Sequence, residues 1–300
     1  MSYNWGIDLG GTKIEGVILK AGSEIEVLER MRVPTEGDKG YQQILKNIKK
    51  LVDQLSQKSG LIPTRIGIGT PGALDPDLGT MKNSNSTALN NQPLYHDLEA
   101  LLGVEIRMSN DANCFAVAET NLGIVKEIIP NAKVVFGIIM GTGVGGGVVI
   151  DGKVINGRHG IGGEWGHNFL HESGGSCYCG KSGCVETILS GTGLEKYYFS
   201  QAGKHKKLKN IVEDYRSGND IHARKTMERL FHFFGKGVSS IINMLDPDVI
   251  VIGGGVGNIN ELYTLGKQEV EKHVFNHRMD TLILKPKLGD SAGVFGAALL

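Results

Sequence analysis

Three glycine-rich turns, each placed directly after a run of apolar residues, constrain the fold of this sequence most. They lie at residues 8–13, 141–147 and 253–257. Glycine supplies 44 of the 300 residues, about 15% and roughly twice its usual share. Collagen is excluded because the chain has 8 prolines and lacks a three-residue period, and the 40% apolar content with balanced charge argues against disorder. The glycines therefore predict tight turns or close approaches of the backbone to a ligand.

The first two turns share one pattern of strand, glycine turn and strand. Residues 5–8 and 14–19 flank the first turn, and residues 134–140 and 148–150 flank the second. Further strands are expected at 65–69, 104–108 and within 246–255, and helices at about 41–57, 112–119, 221–244 and from 290. The repeated start predicts a duplicated α/β architecture with two lobes and a cleft between them.

Charge and hydropathy exclude several classes of function. Lys and Arg together number 32, as do Asp and Glu, so the chain lacks the charge excess that nucleic acids or anionic membranes attract. No apolar run approaches the length of a membrane-spanning helix, and the first residues lack a signal-peptide pattern. We therefore expect a cytoplasmic protein that binds neither nucleic acid nor a membrane.

Two matches to nucleotide-binding motifs do not fit their context. Residues 141–146 satisfy the dinucleotide pattern G-x-G-x-x-G, but that motif must open a helix, whereas residues 148–150 are typical of a strand. Residues 175–182 satisfy the P-loop pattern, but the polar segment 171–175 precedes them where a buried strand is required. Both motif assignments are rejected.

Two aspartates follow predicted strands and can serve phosphate chemistry. Asp8, with Thr12 and Lys13 in the first turn, can hold a hydrated Mg²⁺ beside ATP phosphates; the alternative is a turn-capping Asp and a solvated Lys. Asp111 stands between a strand and a helix. It can accept a proton from a substrate hydroxyl during phosphoryl transfer, or it can be the N-cap of the helix.

A cluster of cysteines predicts a closed metal site. Cys177, Cys179 and Cys184 follow His167, and three sulfur ligands with one imidazole suit tetrahedral zinc. Four protein ligands leave no open position, so such a zinc ion would be structural. His159 and His171 are rival ligands by spacing, and free cysteines in a loop are the alternative. Glu164 and Glu186 flank the cluster and can accept hydrogen bonds from sugar hydroxyls, or they can be solvated surface residues.

Taken together, these motifs resemble the ROK family of repressors and sugar kinases. The resemblance rests on residues 6–13, 110–113, 141–147, 164–167 and 177–186, and it runs from about residue 4 to the end. It implies the actin-like ATPase or sugar kinase fold, which is ribonuclease H-like and α/β, with two lobes and a cleft. The small lobe would comprise 1–111 and 290–300, and the large lobe 112–289, with a zinc-binding loop at 167–184.

The resemblance also implies roles for individual residues. Asp111 would be the general base that activates the sugar hydroxyl. Sugar contacts would come from Gly72, Asn85, Asn110, Asp111, Glu164, His167 and Glu186. Mg-ATP would contact Asp8, Gly10, Gly11, Thr12, Lys13, Gly141, Thr142, Gly143, Gly254 and Gly255. Structural zinc would bind His167, Cys177, Cys179 and Cys184.

Within the family, the chain is most similar to bacterial fructokinases, also called manno-fructokinases. Residues 82–87 and 89–93 carry this similarity, as do 164–168 and 186–193. It implies an ATP-dependent hexose 6-kinase acting on fructose, with mannose or glucose as further substrates. N-acetylglucosamine kinase and glucokinase are alternatives. A sugar-responsive repressor is disfavoured because the first phosphate strand begins at Trp5, and a chaperone or filament protein because of the zinc loop. The family further implies a homodimer.

Overall fold

The apolar runs that precede the glycine turns form buried strands. The computed structural model describes residues 2–22 and 25–300. Its strands are β1 (Tyr3–Leu9), β2 (Lys13–Lys20), β3 (Glu26–Pro34), β4 (Arg65–Thr70), β5 (Ala73–Leu74), β6 (Met81–Lys82), β7 (Glu105–Asn110), β8 (Val134–Met140), β9 (Val144–Ile150), β10 (Lys153–Val154), β11 (Val249–Gly253) and β12 (Leu282–Leu284). Its α-helices are α1 (Tyr41–Ser59), α2 (Leu94–Leu102), α3 (Asp111–Asn121), α4 (Ile124–Ile128), α5 (Val185–Leu189), α6 (Gly191–Ala202), α7 (Leu208–Ser217), α8 (Ile221–Leu245), α9 (Gly254–Gly257), α10 (Leu265–Glu271) and α11 (Ala292–Ala298).

The chain divides into two compact units. Unit 1 comprises Met1–Asn131, Gly147–Gly163 and Lys287–Leu300, and unit 2 comprises Ala132–Gly146 and Glu164–Pro286. The predicted lobe boundaries at residues 111 and 290, and the predicted cleft, stay predictions. Among the helices of the described residues, none has both the length and the apolar character that crossing a membrane requires.

Unit 1 is built on a five-stranded mixed sheet of order β3-β2-β1-β4-β7. Strands β1 and β3 each pair antiparallel with β2, and β4 and β7 continue the sheet parallel to β1. Helix α1 buries the apolar stripe that its sequence predicts, which includes Ile44, Ile48, Leu51 and Leu55. The core beneath this stripe holds the inward side chains of β1, β2 and β4. A rigid scaffold therefore supports the carboxyl ends of β1, β4 and β7.

The small residues of α11 let it lie directly on this scaffold. A Cβ atom placed on Gly67 of β4 would lie 1.7 Å from the carbonyl oxygen of Ala297. A Cβ atom on Gly296 would lie 1.8 Å from the carbonyl oxygen of Cys114 in α3. Both separations are far below van der Waals contact, so these positions accept only glycine.

The second sheet has the order β10-β9-β8-β11-β12, and the boundary between the two units falls within β9. In unit 2, β11 pairs in parallel with both β8 and β12. Its first four residues are completely buried, as expected for a strand with neighbours on both sides. Helix α8 is 25 residues long and packs against α10 and α7. The carboxyl ends of β8 and β11 therefore lie side by side.

Candidate active site

The two candidate aspartates lie at the same edge of the first sheet. In the parallel register, Asp8 of β1 is opposite Gly69 of β4, and Gly69 is opposite Ser109 of β7. Asp111 follows two residues after Ser109, at the first position of α3. Because the carboxyl ends of parallel strands share one edge, the sheet brings Asp8 and Asp111 together.

Asn110, rather than Asp111, caps helix α3. The side-chain oxygen of Asn110 accepts a hydrogen bond from the backbone N–H of Asn113 at 2.7 Å, which is the usual N-cap geometry. Oδ1 of Asp111 accepts a hydrogen bond from the backbone N–H of the next residue, Ala112, at 2.8 Å. The alternative interpretation of Asp111 as the N-cap is therefore wrong, and helix capping does not require its carboxylate.

Burial raises the pKa of both carboxyl groups, and like charge adds to the increase at Asp8. The pKa of Asp8 is raised to about 6, first by burial and then by the negative charges of Asp111 and Glu15, against the opposing charge of Lys13. Burial raises the pKa of Asp111, and the hydrogen bond from the N–H of Ala112 lowers it by a smaller amount. Asp111 nevertheless keeps a solvent-accessible surface. This pair suits the binding of a cation and the acceptance of a proton.

The first glycine turn is closed by its own backbone and held from outside. The N–H of Gly10 donates to the carbonyl oxygen of Lys13 at 3.0 Å, and the hydroxyl of Thr35 donates to the carbonyl oxygen of Gly10 at 2.7 Å. Gly11 and Thr12 are exposed. The Lys13 ammonium lies 4.0 Å from a carboxylate oxygen of the buried Glu15, while Lys13 itself is exposed. The turn is fixed, with its tip open to solvent.

Glu15 is a charged residue that the sequence analysis did not identify. Its carboxylate is buried and forms ion pairs with Arg30 and Arg32 of the neighbouring strand β3, as well as with Lys13. Burial acts to raise the pKa of Glu15, but the hydrogen bonds from the two arginines outweigh burial and lower it. An ionised Glu15 therefore lies beside the glycine turn, held by the two arginines and within 4.0 Å of the Lys13 ammonium.

The predicted sugar-side residues of unit 1 lie beside this turn. A Cβ atom on Gly72 would lie 2.8 Å from both the carbonyl oxygen of Lys82 and Cα of Ser84, so the two segments are in close contact. The N–H of Asn85 donates to the carbonyl oxygen of Pro71 at 3.2 Å, and its side chain is exposed. A Cβ atom on Gly11 would lie 3.6 Å from Oγ of Ser86. The structure therefore brings residues 82–86 next to the first glycine turn.

Asn156 is a further polar residue that the sequence analysis missed. Its side-chain oxygen accepts a hydrogen bond from the Ser109 hydroxyl at 2.7 Å and from Nδ2 of Asn113 at 3.4 Å. Oδ1 of Asn113 is buried and lacks a hydrogen-bond partner among the described residues. The Asn-Gly pair at 156–157 indicates only a turn, so the sequence held no signal for this contact.

The second and third glycine turns are neighbours in unit 2. Gly253 of β11 is opposite Ile139 of β8, which places Gly254 beside Met140 and the turn that follows it. Gly254 has φ 82°, and a Cβ atom there would lie 2.3 Å from the carbonyl oxygen of Met140. Gly255 is exposed, and a Cβ atom placed on it meets no described atom within 4 Å. Two open backbone segments therefore flank one edge of the second sheet.

The turn at 141–143 is braced by α5 and α6. The N–H of Gly141 donates to the carbonyl oxygen of Gly143 at 2.9 Å, and the N–H of Gly191 donates to the carbonyl oxygen of Gly141 at 2.7 Å. Oε2 of Glu186 accepts a hydrogen bond from the N–H of Val144 at 2.9 Å. Thr142 is exposed at the tip. A residue predicted to bind sugar, Glu186, thus holds a turn predicted to bind ATP.

The four predicted zinc ligands form one cluster. In the described part of the chain, Cys177, Cys179, Cys184 and His167 each present a ligand atom within 4.8 Å of the others. Sγ of Cys179 is 3.6 Å from Sγ of Cys184, and Sγ of Cys177 is 3.7 Å from Nδ1 of His167. A tetrahedral ion with Zn–S bonds of about 2.3 Å and a Zn–N bond of about 2.05 Å needs separations of about 3.8 and 3.6 Å. These two separations match those that zinc requires, so the residue types and their spacing fit a zinc ion.

The chemistry of the cluster also favours a cation. Burial and the neighbouring sulfur atoms raise the pKa of the Cys184 thiol to about 12, so a thiolate there needs a compensating positive charge. His171 makes a different contact: its Nδ1 lies 2.7 Å from Oγ of Ser173. Neither His171 nor His159 belongs to the cluster that the described residues form.

Tyr178 joins the metal cluster to the two glutamates. Its hydroxyl lies 3.0 Å from Nε2 of His167, the ring nitrogen that faces away from Cys177. Burial raises the pKa of Tyr178 to about 12, with further contributions from the charges of Glu186, Cys177 and Glu164. The structure therefore brings Glu164 and Glu186 to the same neighbourhood as His167. Sequence reasoning missed Tyr178, although an aromatic residue between two ligands was visible.

Comparison with known proteins is consistent with this arrangement. Residues 4–300 match the ROK family. The N-acetyl-D-glucosamine kinase of Vibrio vulnificus is 38% identical over 99% of this chain and 98% of its own, and that of Pasteurella multocida is 36% identical with the same coverage. The predicted similarity to fructokinases is not supported by these relatives.

Solved structures agree with the family match. The ROK hexokinase from Thermus thermophilus superposes with a TM-score of 0.88 at 30% identity, covering 99% of this chain and 97% of that one. A ROK glucokinase from Streptomyces griseus, in complex with glucose and AMPPNP, gives 0.77 at 27% identity, with 99% and 98% covered. The α/β actin-like sugar kinase fold is confirmed, the chain is an ATP-dependent sugar kinase, and it belongs to the ROK family.

Proposed function

We propose that the chain transfers the γ-phosphate of ATP to the 6-hydroxyl of N-acetylglucosamine. One observation carries the choice of sugar: relatives at 36–38% identity over 99% of this chain are named N-acetyl-D-glucosamine kinases. This proposal replaces fructose, which was expected from short segments around residues 82–93 and 186–193. Glucose, mannose and fructose become the substrates to compare.

Asp111 is proposed as the general base. Its carboxylate is not needed to cap α3, remains accessible to solvent and has a raised pKa. As the sugar oxygen forms its bond to the γ-phosphorus and the bond to the ADP oxygen breaks, the hydroxyl proton passes to Asp111. A positioned base contributes about 10²–10⁴-fold to such a reaction.

Asp8 is proposed to hold a hydrated Mg²⁺ ion near the phosphates. The ion, when bound, neutralises charge that develops on the transferred phosphoryl group. The raised pKa of Asp8 supports this role, because its buried carboxylate lacks sufficient positive charge nearby. Carboxylate oxygen is also the ligand type that Mg²⁺ prefers.

The three glycine turns are proposed to bind ATP. Gly11, Thr12 and Thr142 are exposed, which supports contacts with the phosphates. The open space above Gly255, beside the turn at 141–143, supports a contact with adenosine. Gly10, Lys13, Gly141, Gly143 and Gly254 would shape these turns.

Polar groups predicted from the sequence are proposed to bind the sugar. They are Gly72, Asn85, Asn110, Asp111, Glu164, His167 and Glu186. Zinc at the cysteine cluster would be structural, since four protein ligands leave no position for substrate. Through Cys184 and His167, the metal would fix Glu186 and the ring of His167, whose Nε2 faces away from the cluster. We also propose a homodimer, which the family resemblance implies.

A coupled assay of ADP release tests the substrate assignment. N-acetylglucosamine, glucosamine, N-acetylmannosamine, glucose, mannose and fructose should be compared by kcat/KM. We expect N-acetylglucosamine to exceed glucosamine by at least about 10-fold, because a pocket that hydrogen-bonds the acetamido group loses those bonds with the amine. A higher kcat/KM for fructose or glucose would overturn the choice of sugar and leave the kinase assignment intact. Nuclear magnetic resonance of the product should place the phosphate on O6.

A further inference from the structure

A second cluster of metal-ligating side chains lies on the surface of unit 2, between α8 and α10. It consists of His232 on α8, Glu269 on α10 and His273, two residues beyond the end of α10. None of these three residues belongs to the cysteine cluster or to the proposed substrate contacts. Their side chains come from separate elements, so their convergence depends on how α8 packs on α10.

This packing is unusually close at the cluster. A Cβ atom on Gly235 of α8 would lie 2.6 Å from Cβ of Glu269, so the glycine lets the two backbones approach. His232 precedes Gly235 by three residues, and His273 follows Glu269 by four, so both lie about one helical turn from the point of closest approach. The helices therefore hold the three side chains together before any ligand binds.

The ligand atoms are within reach of one ion. Nδ1 of His232 is 3.9 Å from Oε2 of Glu269, and all three ligand atoms lie within 4.8 Å of one another. Two bonds of about 2.1 Å at a tetrahedral angle need a separation of about 3.4 Å. Side-chain rotations of the exposed His232 and of the partly buried Glu269 and His273 would be needed to close this difference. The two imidazole rings are 6.2 Å apart and nearly perpendicular, so they do not stack against each other.

Contacts with neighbouring residues hold Glu269 and the segment that carries His273. Oε1 of Glu269 accepts a hydrogen bond from Lys272, which leaves Oε2 directed towards His232. The carbonyl oxygen of His273 accepts a hydrogen bond from Nδ2 of Asn243 at 3.2 Å, and Oδ1 of Asn243 accepts one from the N–H of Phe275 at 2.8 Å. Asn243 on α8 thus anchors the segment that carries His273. Such supporting contacts orient metal ligands in known sites.

We propose that His232, Glu269 and His273 bind a divalent ion of the zinc class. Two imidazoles and one carboxylate favour Zn²⁺, Co²⁺ or Ni²⁺ over Mg²⁺ and Ca²⁺, which prefer oxygen ligands throughout. The remaining positions would hold water because His232 faces solvent. With three ligands and an adjacent lysine, the site binds more weakly than the four-ligand cysteine cluster. An ion there links α8 to the segment after α10.

Calorimetric titration of the tag-free protein with Zn²⁺ tests this proposal. We expect the wild-type chain to bind one more equivalent than His232→Ala or His273→Ala. His277→Ala is the matched control, since His277 is an exposed histidine four residues beyond His273 and outside the cluster. It should bind as many equivalents as wild type.

A second measurement follows the same variants by thermal unfolding. Zn²⁺ beyond the first equivalent should raise the melting temperature of wild type and of His277→Ala, because an ion bound only by the folded chain stabilises it. The increase should be absent in His273→Ala. Equal stoichiometry in wild type and both cluster variants would overturn the proposal, as would an additional ion that only His277→Ala loses.

Discussion

The carboxylate of Glu186 accepts a hydrogen bond from the backbone N–H of Val144, with 2.9 Å between oxygen and nitrogen. Val144 follows the glycine turn proposed to bind ATP, and Glu186 follows Cys184 of the zinc cluster by two residues. The contact is close, because a Cβ atom on Gly143 would lie 2.5 Å from the same oxygen. One carboxylate therefore links the loop that carries the cysteine cluster to the glycine turn at 141–143 within unit 2.

Replacing Glu186 should affect both substrates. In Glu186→Ala the N–H of the buried Val144 loses its acceptor, which costs about 1–3 kcal/mol, and the sugar loses a contact. We expect the KM values for ATP and for the sugar both to rise by about 5-fold or more. Glu186→Gln keeps an oxygen acceptor and should affect mainly the sugar. Asn85→Ala, in unit 1, is the control and should change the sugar KM alone. An unchanged ATP KM in Glu186→Ala would contradict the coupling.

Replacing Asp111 separates catalysis from binding. Asp111→Asn keeps the size of the side chain but cannot accept the hydroxyl proton, so kcat should fall by at least about 10²-fold. Sugar affinity, measured by calorimetry without ATP, should change little. Asp77→Asn is a suitable control, because Asp77 is exposed in the same unit and pairs with Arg158. Near-normal turnover in Asp111→Asn would remove Asp111 as the base.

The raised pKa of Asp8 predicts a pH-dependent cost in stability. The folded-state value of about 6 exceeds the ordinary 3.8, so the folded chain binds this proton more tightly than the unfolded chain does. The penalty is therefore absent well below pH 3.8, grows between pH 3.8 and 6, and is complete above pH 6. Allowing for the partial exposure of Asp8, it amounts to about 1–2 kcal/mol.

Urea unfolding of Asp8→Asn without Mg²⁺ measures this penalty. The variant should be more stable than wild type by that amount near pH 8, and the difference should shrink towards pH 4.5. Its activity should fall, since the residue is proposed to hold Mg²⁺. A stability difference that is constant with pH would show that the carboxyl of Asp8 titrates normally.

Local sequence patterns predicted many of the strands and helices. Apolar runs ending in glycine predicted β1, β8 and β11, and helical periodicity placed α1 and α8 within two residues of their observed ends. Strand β3 was missed because it is an edge strand in which four of nine residues are charged and only Val33 is buried, and its arginines pair with Glu15 on β2. Contacts across long sequence separations, such as Ser109 with Asn156, leave no local pattern.

The metal cluster offers a further test through Cys184. Purified protein should contain about one zinc ion per chain at the cysteine site, and Cys184→Ser should lose it. Without the ion, the loop at 167–184 should loosen, and the sugar KM should rise because Glu186 is no longer held. Cys114→Ala is the control, since Cys114 is buried in α3, outside the cluster. It should retain zinc. A metal-free and fully active preparation would refute the structural role.

Two adjacent glycines distinguish a structural requirement from a ligand contact. At Gly254, φ is 82° and a Cβ atom would lie 2.3 Å from the backbone of Met140, so Gly254→Ala should destabilise the protein by about 1–3 kcal/mol. At Gly255 a Cβ atom meets no described atom within 4 Å, so Gly255→Ala should unfold at the same temperature as wild type. If adenosine packs against the backbone of Gly255, the methyl group that alanine adds would clash with it. Gly255→Ala should then raise the KM for ATP several-fold while the sugar KM stays constant, whereas an unchanged ATP KM would place the nucleotide elsewhere.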